Sequence, residues 1–217
     1  MAELLKKEVK LSASALSWLF LAFSLMVLIP NYPILVGAFF ISFGIFQSVQ
    51  RCRENNDIVY SALLPVAKGD VVRGKFAFAL LIEGCGFVLM TVLTLLRMAF
   101  LADSPVYRAN ALMNANFVFL GFVLLIFAAF NLIFLRGFFR TAYAFGKPFI
   151  GFIVATFLLI GLAETLHHIP GLEGLNAFGF IEMPLQLGVF AGCAVLFVLL
   201  TALAVRRSMR SFEEIDL

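Results

Sequence analysis

The chain has 217 residues, of which 63% are hydrophobic and 13% are charged, and 27 residues are phenylalanine. Soluble domains carry about 25% charged and about 45–50% apolar residues, so this composition excludes a soluble globular protein, a disordered chain and a disulfide scaffold. It indicates an integral membrane protein, in which the positions of the charges matter more than the net charge of +3.

The first ten residues predict a short amphipathic helix in the membrane interface. Its charged side chains recur at helical spacing on one face: Glu3, Lys6, Lys7 and Lys10. Apolar side chains occupy the other face: Leu4, Leu5 and Val9. A positively charged N-terminus that is merely solvated is the alternative interpretation.

Apolar stretches then predict an all-α membrane domain over residues 1–217 with six spans, because each span needs about 20 apolar residues. The stretch 11–50 is uncharged, and Pro30-Asn31-Tyr32-Pro33 in its middle predicts a tight turn between two spans. The predicted spans cover residues 12–29, 33–50, 76–97, 113–135, 148–165 and 185–205. Three arginines are expected to end the last span: Arg206, Arg207 and Arg210.

The basic residues predict the orientation of these spans. Fourteen of the 16 Lys and Arg residues fall in the N-terminal segment, the loops 51–75 and 136–147, and the C-terminal segment. Only Arg97 and Arg108 fall on the opposite side. The positive-inside rule therefore predicts a multi-pass protein of the cell membrane with both termini in the cytoplasm.

No catalytic or metal-binding motif is recognisable. The nearest approach to a phosphate-binding loop, Gly146-Lys147-Pro148, lacks the upstream glycine and has Pro where Ser or Thr is needed. His167 and His168 are adjacent, so on a helix they diverge by about 100° and chelate poorly. We therefore expect no catalytic residue, metal or cofactor in this chain, and any ATP hydrolysis requires another polypeptide.

Three residues within the spans are candidates for function. Glu83 is the only ionisable residue deep within a span, where a carboxylate either lines a pathway or binds a proton, or makes a structural hydrogen bond to a neighbouring helix or a partner subunit. Gly188 and Gly192 form a GxxxG pattern that permits close contact with another subunit. Near the outer ends of their spans, Arg97 could snorkel and Glu164 could face it.

The loop 51–75 is the most polar segment and predicts a short cytoplasmic helix. Asp57 is a plausible N-cap, and Leu64 must leave the helical region because Pro65 follows it. The helix would present apolar side chains to a groove of a soluble partner: Ile58, Tyr60, Leu63 and Leu64.

This loop resembles the permeases of the ABC-2 class of ATP-binding-cassette transporters. The matching positions are Glu54, Leu64-Pro65-Val66, Asp70-Val71-Val72 and Gly74-Lys75. The pattern departs at Ala67-Lys68, where a Ser-Arg-type pair is more usual, although Lys68 keeps the charge. The motif covers residues 54–75, whereas the likeness in architecture extends over the whole chain, as a single transmembrane permease domain.

The resemblance implies a permease that pairs with a second permease subunit, as a homodimer or heterodimer, in the lipid bilayer. Each subunit would contact a cytosolic ABC ATPase, which binds ATP and Mg, through a coupling helix at residues 57–64. The coupling residues would be Glu54, Asp57, Ile58, Tyr60, Leu63, Leu64 and Pro65. In this class the Gly/Pro-rich segment between spans five and six forms short re-entrant helices at the outer face.

The function implied by this resemblance is export of an amphipathic or hydrophobic substrate, such as a peptide toxin, an antimicrobial peptide or a drug, with no nucleic-acid partner. A proton-coupled carrier or channel is one alternative, but it would need intramembrane charges beyond Glu83 and internal repeats. A membrane scaffold or an accessory subunit of an enzyme is the other, and it would need a polar cluster at the interface.

Overall fold

A computed structural model describes residues 2–57, 67–141 and 144–215, without the side chains of residues 2, 3 and 11. About 80% of the described residues are helical, and they contain no strand. The prediction of an all-helical protein is therefore confirmed.

The N-terminal segment is a bent pair of helices. Helix α1 (Ala2–Lys7) continues as a π-helical segment (Glu8–Ser12), and α2 (Ala15–Leu19) continues as a 3-10 segment (Phe20–Leu28). The two halves are bent by 90°. Ser14 lies at the bend and its hydroxyl accepts a hydrogen bond from Leu16 N at 3.3 Å, which caps α2. The bend separates the amphipathic N-terminal helix from the first apolar segment.

The predicted tight turn follows. The 3-10 segment ends at Leu28, α3 (Val36–Glu54) begins after a turn, and Asn31 adopts a left-handed φ of 55°. The two arms pack closely at Gly44, where an added Cβ would lie 2.9 Å from the Cβ of Phe20. Ser17 secures this contact, because its hydroxyl donates to the carbonyl of Gly44 at 2.5 Å.

The remaining helices are α4 (Lys68–Phe100), α5 (Pro105–Arg108), α6 (Phe117–Ala129), α7 (Arg136–Thr141), α8 (Gly146–Leu166) and α9 (Met183–Glu213). Three of them, α4, α8 and α9, extend beyond the predicted spans at both ends. A π-helical segment (Phe130–Leu135) joins α6 to α7. Helix α9 continues through the arginines that are predicted to end the last span, because arginine is a good helix former. Hydropathy marks the apolar part of a helix and not its end.

The number of spans is supported only in part. Four helical stretches in the described residues are long and apolar enough to cross a membrane: Lys68–Phe100, Phe117–Thr141, Gly146–Leu166 and Met183–Glu213. The number rises to five if the bent N-terminal pair counts as one span. Helix α3 is apolar at its start but ends in the polar run Gln50 to Glu54. The described helices overlap all six predicted spans, whereas six membrane crossings are not confirmed.

The segment from α6 to α7 forms the centre of the bundle. Most of its side chains are buried against α8 and α9, and stacked phenylalanines from α3 and α8 pack beside it, with the rings of Phe46 and Phe149 3.9 Å apart. The outward faces of α4, α8 and α9 instead expose large apolar side chains, such as Phe100, Leu158 and Val198. An apolar exterior around an apolar core is the arrangement expected of a membrane domain.

One end of the bundle gathers both ends of the chain. Lys75 of α4 pairs with Glu8 of the N-terminal π-helical segment, and Lys68 at the start of α4 donates to the carbonyl of Ile215 at 2.6 Å. The predicted cytoplasmic loop 51–75 begins and ends at this same end. We call it the ion-cluster end, after the side chains described below.

Candidate functional site

A cluster of four ionic side chains lies at the point where the predicted coupling segment begins: Glu8, Lys7, Asp57 and Lys75. The ammonium of Lys75 contacts Glu8 Oε2 at 2.5 Å and Asp57 Oδ2 at 2.7 Å. The second oxygen of Asp57 is 2.7 Å from Lys7 Nζ. Lys7 Nζ also lies 3.4 Å from Glu8 Oε1, so each of the two lysines contacts both carboxylates.

Two neutral groups also donate hydrogen bonds to Asp57. The hydroxyl of Ser12 and the thiol of Cys52 both donate to Asp57 Oδ2, at 3.3 Å and 3.1 Å. Because these donors come from the N-terminal segment and from the last turn of α3, the carboxylate connects three parts of the chain. We call this set of six side chains the ion cluster.

The ion cluster is shielded from solvent. The side chains of Glu8 and Lys75 are only 3% and 5% exposed, so their attraction is screened far less than that of a surface pair. Burial by itself disfavours the charged form of Asp57, but Lys75 and Lys7 outweigh it and hold the pKa of this carboxyl well below its usual range. Asp57 is therefore ionised at any physiological pH.

The local sequence explains how Glu8 reaches Lys75. On a helical projection Glu8 falls beside Leu4 and Leu5, on the apolar face of the N-terminal helix. That face lies against Gly74 of α4, where an added Cβ would make an ordinary contact with Leu4 Cβ at 3.4 Å. The ion cluster therefore forms where the apolar face of the N-terminal helix packs against α4.

The other end of the predicted coupling segment is also anchored. Lys68 donates to the carbonyl of Ile215, and Gly69 packs closely on Met209 of α9, where an added Cβ would be 3.1 Å from the methionine Cε. The segment 58–66 thus starts at a residue held by α4 and the N-terminal helix and returns to a residue held by the C-terminal helix.

With this geometry in place, we compared the sequence with known protein families. The family described as ABC-2 family transporter protein matches residues 3–213. The chain belongs to the ABC-2 transporter family. No curated protein and no solved structure matches the chain.

Membership of the ABC-2 family makes this a multi-pass membrane protein and a membrane component of the transport machinery. Such components associate with an ABC ATPase and generally have no catalytic site of their own. Among the described residues, no three His, Cys, Asp or Glu side chains are grouped so as to hold a metal ion.

The structure describes only part of the predicted ATPase-coupling set of this ABC-2 protein. Glu54 lies in the exposed last turn of α3 and accepts from Gln50 Nε2 at 3.1 Å, and Asp57 belongs to the ion cluster. The remaining predicted coupling residues lie outside the described residues: Ile58, Tyr60, Leu63, Leu64 and Pro65. Their role and the N-cap role of Asp57 stay predictions.

Glu83 is buried inside the single chain, midway along α4. Its Oε2 accepts from Asn131 Nδ2 at 3.0 Å, and the same amide donates to Thr201 Oγ1 at 3.3 Å. Asn131 lies in the π-helical segment, a type of local distortion that often accompanies functional positions. These contacts join α4, the central helix and α9, while a pathway role for Glu83 stays a prediction.

Gly188 and Gly192 lie on an exposed face of α9. A Cβ added at either glycine would meet no other atom within 4 Å, so neither residue is needed for packing within the chain. The face is therefore free of intramolecular contact at these two positions, and the predicted subunit contact remains a prediction.

Arg97 and Glu164, at the opposite end of the bundle, have partners other than each other. The guanidinium of Arg97 is buried and donates to the carbonyl of Val27 at 2.6 Å and to Asn114 Oδ1 at 3.1 Å. Glu164 accepts from the amide of Met113 at 2.6 Å. The predicted pairing is wrong, and Arg97 does not snorkel, because backbone and amide oxygens bind its two terminal nitrogens inside the protein.

The segment between α8 and α9 is held by amides of the 113–117 region. Asn114 N donates to Asn176 Oδ1 at 2.6 Å, and Asn116 Nδ2 donates to the carbonyl of Leu175 at 2.9 Å. This part of the chain contains turns and one 3-10 turn (Glu173–Asn176). The predicted re-entrant helices are therefore not confirmed.

Sequence reasoning missed the ion cluster although one signal was present. Glu8 is an acidic residue on the apolar face of an amphipathic helix, a position that calls for a buried cationic partner. Lys75 was noticed only as part of a motif. Its distance of 67 residues from Glu8 could not be bridged by local pattern alone.

Proposed function

We propose that this chain is the permease subunit of an ATP-driven ABC exporter. The observation that carries the proposal is the ABC-2 family match over residues 3–213, which includes every predicted span and the whole cytoplasmic loop. ATP and Mg bind to the partner ATPase in this proposal. The chain has six spans and lies in the cell membrane with both termini in the cytoplasm.

In the proposed mechanism, residues 54–65 receive the movement of the ATPase when it closes on ATP. The contacts of Asp57 support this role, because a segment that transmits force must be fixed to the part that moves. Asp57 is fixed to Lys75, seven residues into α4, so displacement of the segment would pull on a helix that runs on to Phe100. Glu8 extends the same connection to the N-terminal helix.

The substrate in this proposal is amphipathic or hydrophobic, such as a peptide toxin, an antimicrobial peptide or a drug. Two permease subunits, identical or different, form the pathway between them. The exposed apolar faces of α4 and α9 support such an assembly, because they offer contact surfaces for a second subunit as well as for lipid. Gly188 and Gly192 are the proposed points of closest approach.

The test is assembly with an ATPase. The chain is co-expressed with the ABC ATPase expected beside it in the genome, purified, and assayed for bound ATPase and for ATP hydrolysis in vesicles. Leu63→Glu and Leu64→Glu should reduce both, because a carboxylate would be buried in the apolar groove of the ATPase. Arg207→Gln, an exposed change at the ion-cluster end, is the control.

Two results would count against the proposal at different levels. If the native chain recovers no ATPase, the permease assignment fails. If the ATPase binds but both leucine variants behave like the control, the permease assignment stands and the coupling segment is misplaced.

A further inference from the structure

A basic cavity opens between α7 and α8 at the ion-cluster end of the bundle. Its volume is about 530 Å³, and its lining includes three cationic side chains and no carboxylate: Arg136, Arg140 and Lys147. Its position follows from the packing of α7 on α9, where the rings of Phe139 and Phe212 meet edge to face at 5.5 Å. The cavity therefore lies beside the C-terminal part of α9.

The cavity has an apolar wall as well as a basic rim. Leu132 and Ile133 of the π-helical segment and Pro148 of α8 form that wall. Gly137 shapes its base, because a Cβ added there would lie only 2.7 Å from the Cβ of Pro148. The two helices thus touch at the base and diverge toward the three cations.

The cations of this cavity lack carboxylate partners. No ion pair joins Arg136, Arg140 or Lys147 to any Asp or Glu in the described part of the chain. The Nε of Arg136 is shielded from solvent and has no hydrogen-bond partner. By contrast, Lys75 and Arg73 of α4 pair with nearby carboxylates. A shielded donor beside two more cations calls for an anionic ligand.

We propose that this cavity binds the phosphate headgroup of an anionic phospholipid. Arginine guanidinium groups bind phosphate oxygens in a forked geometry, and basic pockets between membrane helices on the cytoplasmic side bind such headgroups. The apolar wall suits the start of an acyl chain. Below it, α8 exposes a row of apolar side chains four residues apart: Ile150, Val154 and Leu158. A lipid tail can follow that row into the membrane.

A phospholipid fits these features better than a free phosphate or a protein partner. A free phosphate would use the three cations but not the apolar wall or the row on α8. An ATPase surface would meet the cavity only at its open rim. Assignment to the inner leaflet rests on the proposed orientation, whereas the lipid site itself does not rest on the exporter function.

The experiment measures lipid binding by the purified chain in neutral detergent. Dioleoylphosphatidylglycerol is titrated and bound lipid is counted by native mass spectrometry, with dioleoylphosphatidylcholine in parallel. The test variant is Arg140→Gln/Lys147→Gln, which changes two exposed side chains and leaves Arg136 in place. Arg206→Gln/Arg207→Gln removes the same charge from exposed positions on α9, outside the cavity. Melting followed by circular dichroism verifies that both variants fold.

We expect the cavity variant to bind phosphatidylglycerol about 20-fold more weakly, since each basic side chain near an anionic lipid contributes about fivefold. The control variant should keep the native affinity. Equal losses in the two variants, or no loss in either, would overturn the proposal. Displacement of the lipid by millimolar inorganic phosphate would overturn it in favour of a free-phosphate site. Unchanged lipid binding by the cavity variant, with loss of the ATPase when this variant is tested in the co-expression assay above, would overturn it in favour of a protein contact.

Discussion

Removal of the Lys75 ammonium is the sharpest test of the ion cluster. Lys75→Met keeps the length and apolar stem of the side chain but leaves Glu8 in a site where its side chain is 3% exposed. Asp57 keeps Lys7 at 2.7 Å, whereas Glu8 keeps only a longer contact with Lys7 at 3.4 Å, so Glu8 loses the most. Removing one partner from a buried ion pair costs about 3–5 kcal/mol, because the remaining charge is desolvated without compensation.

The matched control is Arg73→Met, two residues earlier on the same helix. Arg73 pairs with Asp70 at 3.1 Å, but their side chains are 50% and 39% exposed. Exposed pairs contribute about 0–1 kcal/mol, so this variant should be close to wild type. Unfolding of both variants is measured by adding increasing dodecyl sulfate to mixed micelles and following helix content by circular dichroism.

A double variant tests whether the loss of stability in Lys75→Met comes from the charge left on Glu8. Glu8→Gln/Lys75→Met removes both charges, so it should be more stable than Lys75→Met alone by about 0.5–3 kcal/mol. If the double variant is no more stable than the single one, the loss comes from packing and not from charge. If Lys75→Met and Arg73→Met are destabilised equally, the ion cluster makes no special contribution.

Three further predictions concern single positions. The pKa of Asp57 is lowered in the folded protein, so its ionised carboxylate stabilises the fold at neutral pH, and this stabilisation is lost as the pH falls below about 4. The difference in melting temperature between wild type and Asp57→Asn should therefore narrow on acidification. Glu83→Gln keeps an acceptor for Asn131 and should retain transport, whereas Glu83→Leu should destabilise by about 1–3 kcal/mol. Gly37→Ala should destabilise by about 1–3 kcal/mol, because its Cβ would lie 2.8 Å from Met90 Cε, whereas Gly188→Ala, in open space, should not destabilise the purified single chain.

Each of these predictions has a contrary result. A constant melting difference between Asp57→Asn and wild type from pH 7 to about pH 3 would mean that Asp57 is not held ionised by the lysines. Loss of transport in Glu83→Gln at unchanged stability would place Glu83 in the pathway. Equal melting temperatures for Gly37→Ala and Gly188→Ala would contradict the close packing at Gly37.

Local patterns predicted the helical class and the hairpin well, because both depend on neighbouring residues. Hydropathy located the apolar centre of each helix, and the Pro/Asn cluster located the turn at Asn31. Helix ends were harder to predict, since α4 and α9 continue through polar residues that a hydropathy profile assigns to loops. Charge counting indicated which segments share one end, and the contact of Lys68 with Ile215 fits that grouping.

The partners of buried charges could not be predicted in the same way. Depth in the membrane alone suggests Glu164 as the partner of Arg97, but the guanidinium of Arg97 donates to the amide oxygen of Asn114 and to a backbone carbonyl instead. Glu83 was recognised as buried, whereas its partner Asn131 depends on the rotation of the central helix, which is apolar all round and carries no periodic signal. Pairing across the fold is a property of helix rotation and register, and a single sequence leaves both open.

The ion cluster also changes the role expected of the N-terminal helix. A purely interfacial helix would anchor the chain to the membrane and remain still when the coupling segment moves. Glu8 and Asp57 share the ammonium of Lys75, so movement of one carboxylate by more than about 1 Å stretches a contact that the other also uses. The N-terminal helix, Asp57 and the start of α4 are therefore linked by shared ion pairs. In the proposed mechanism, force applied at residues 58–66 would reach the spans through these ion pairs and not through the loop backbone alone.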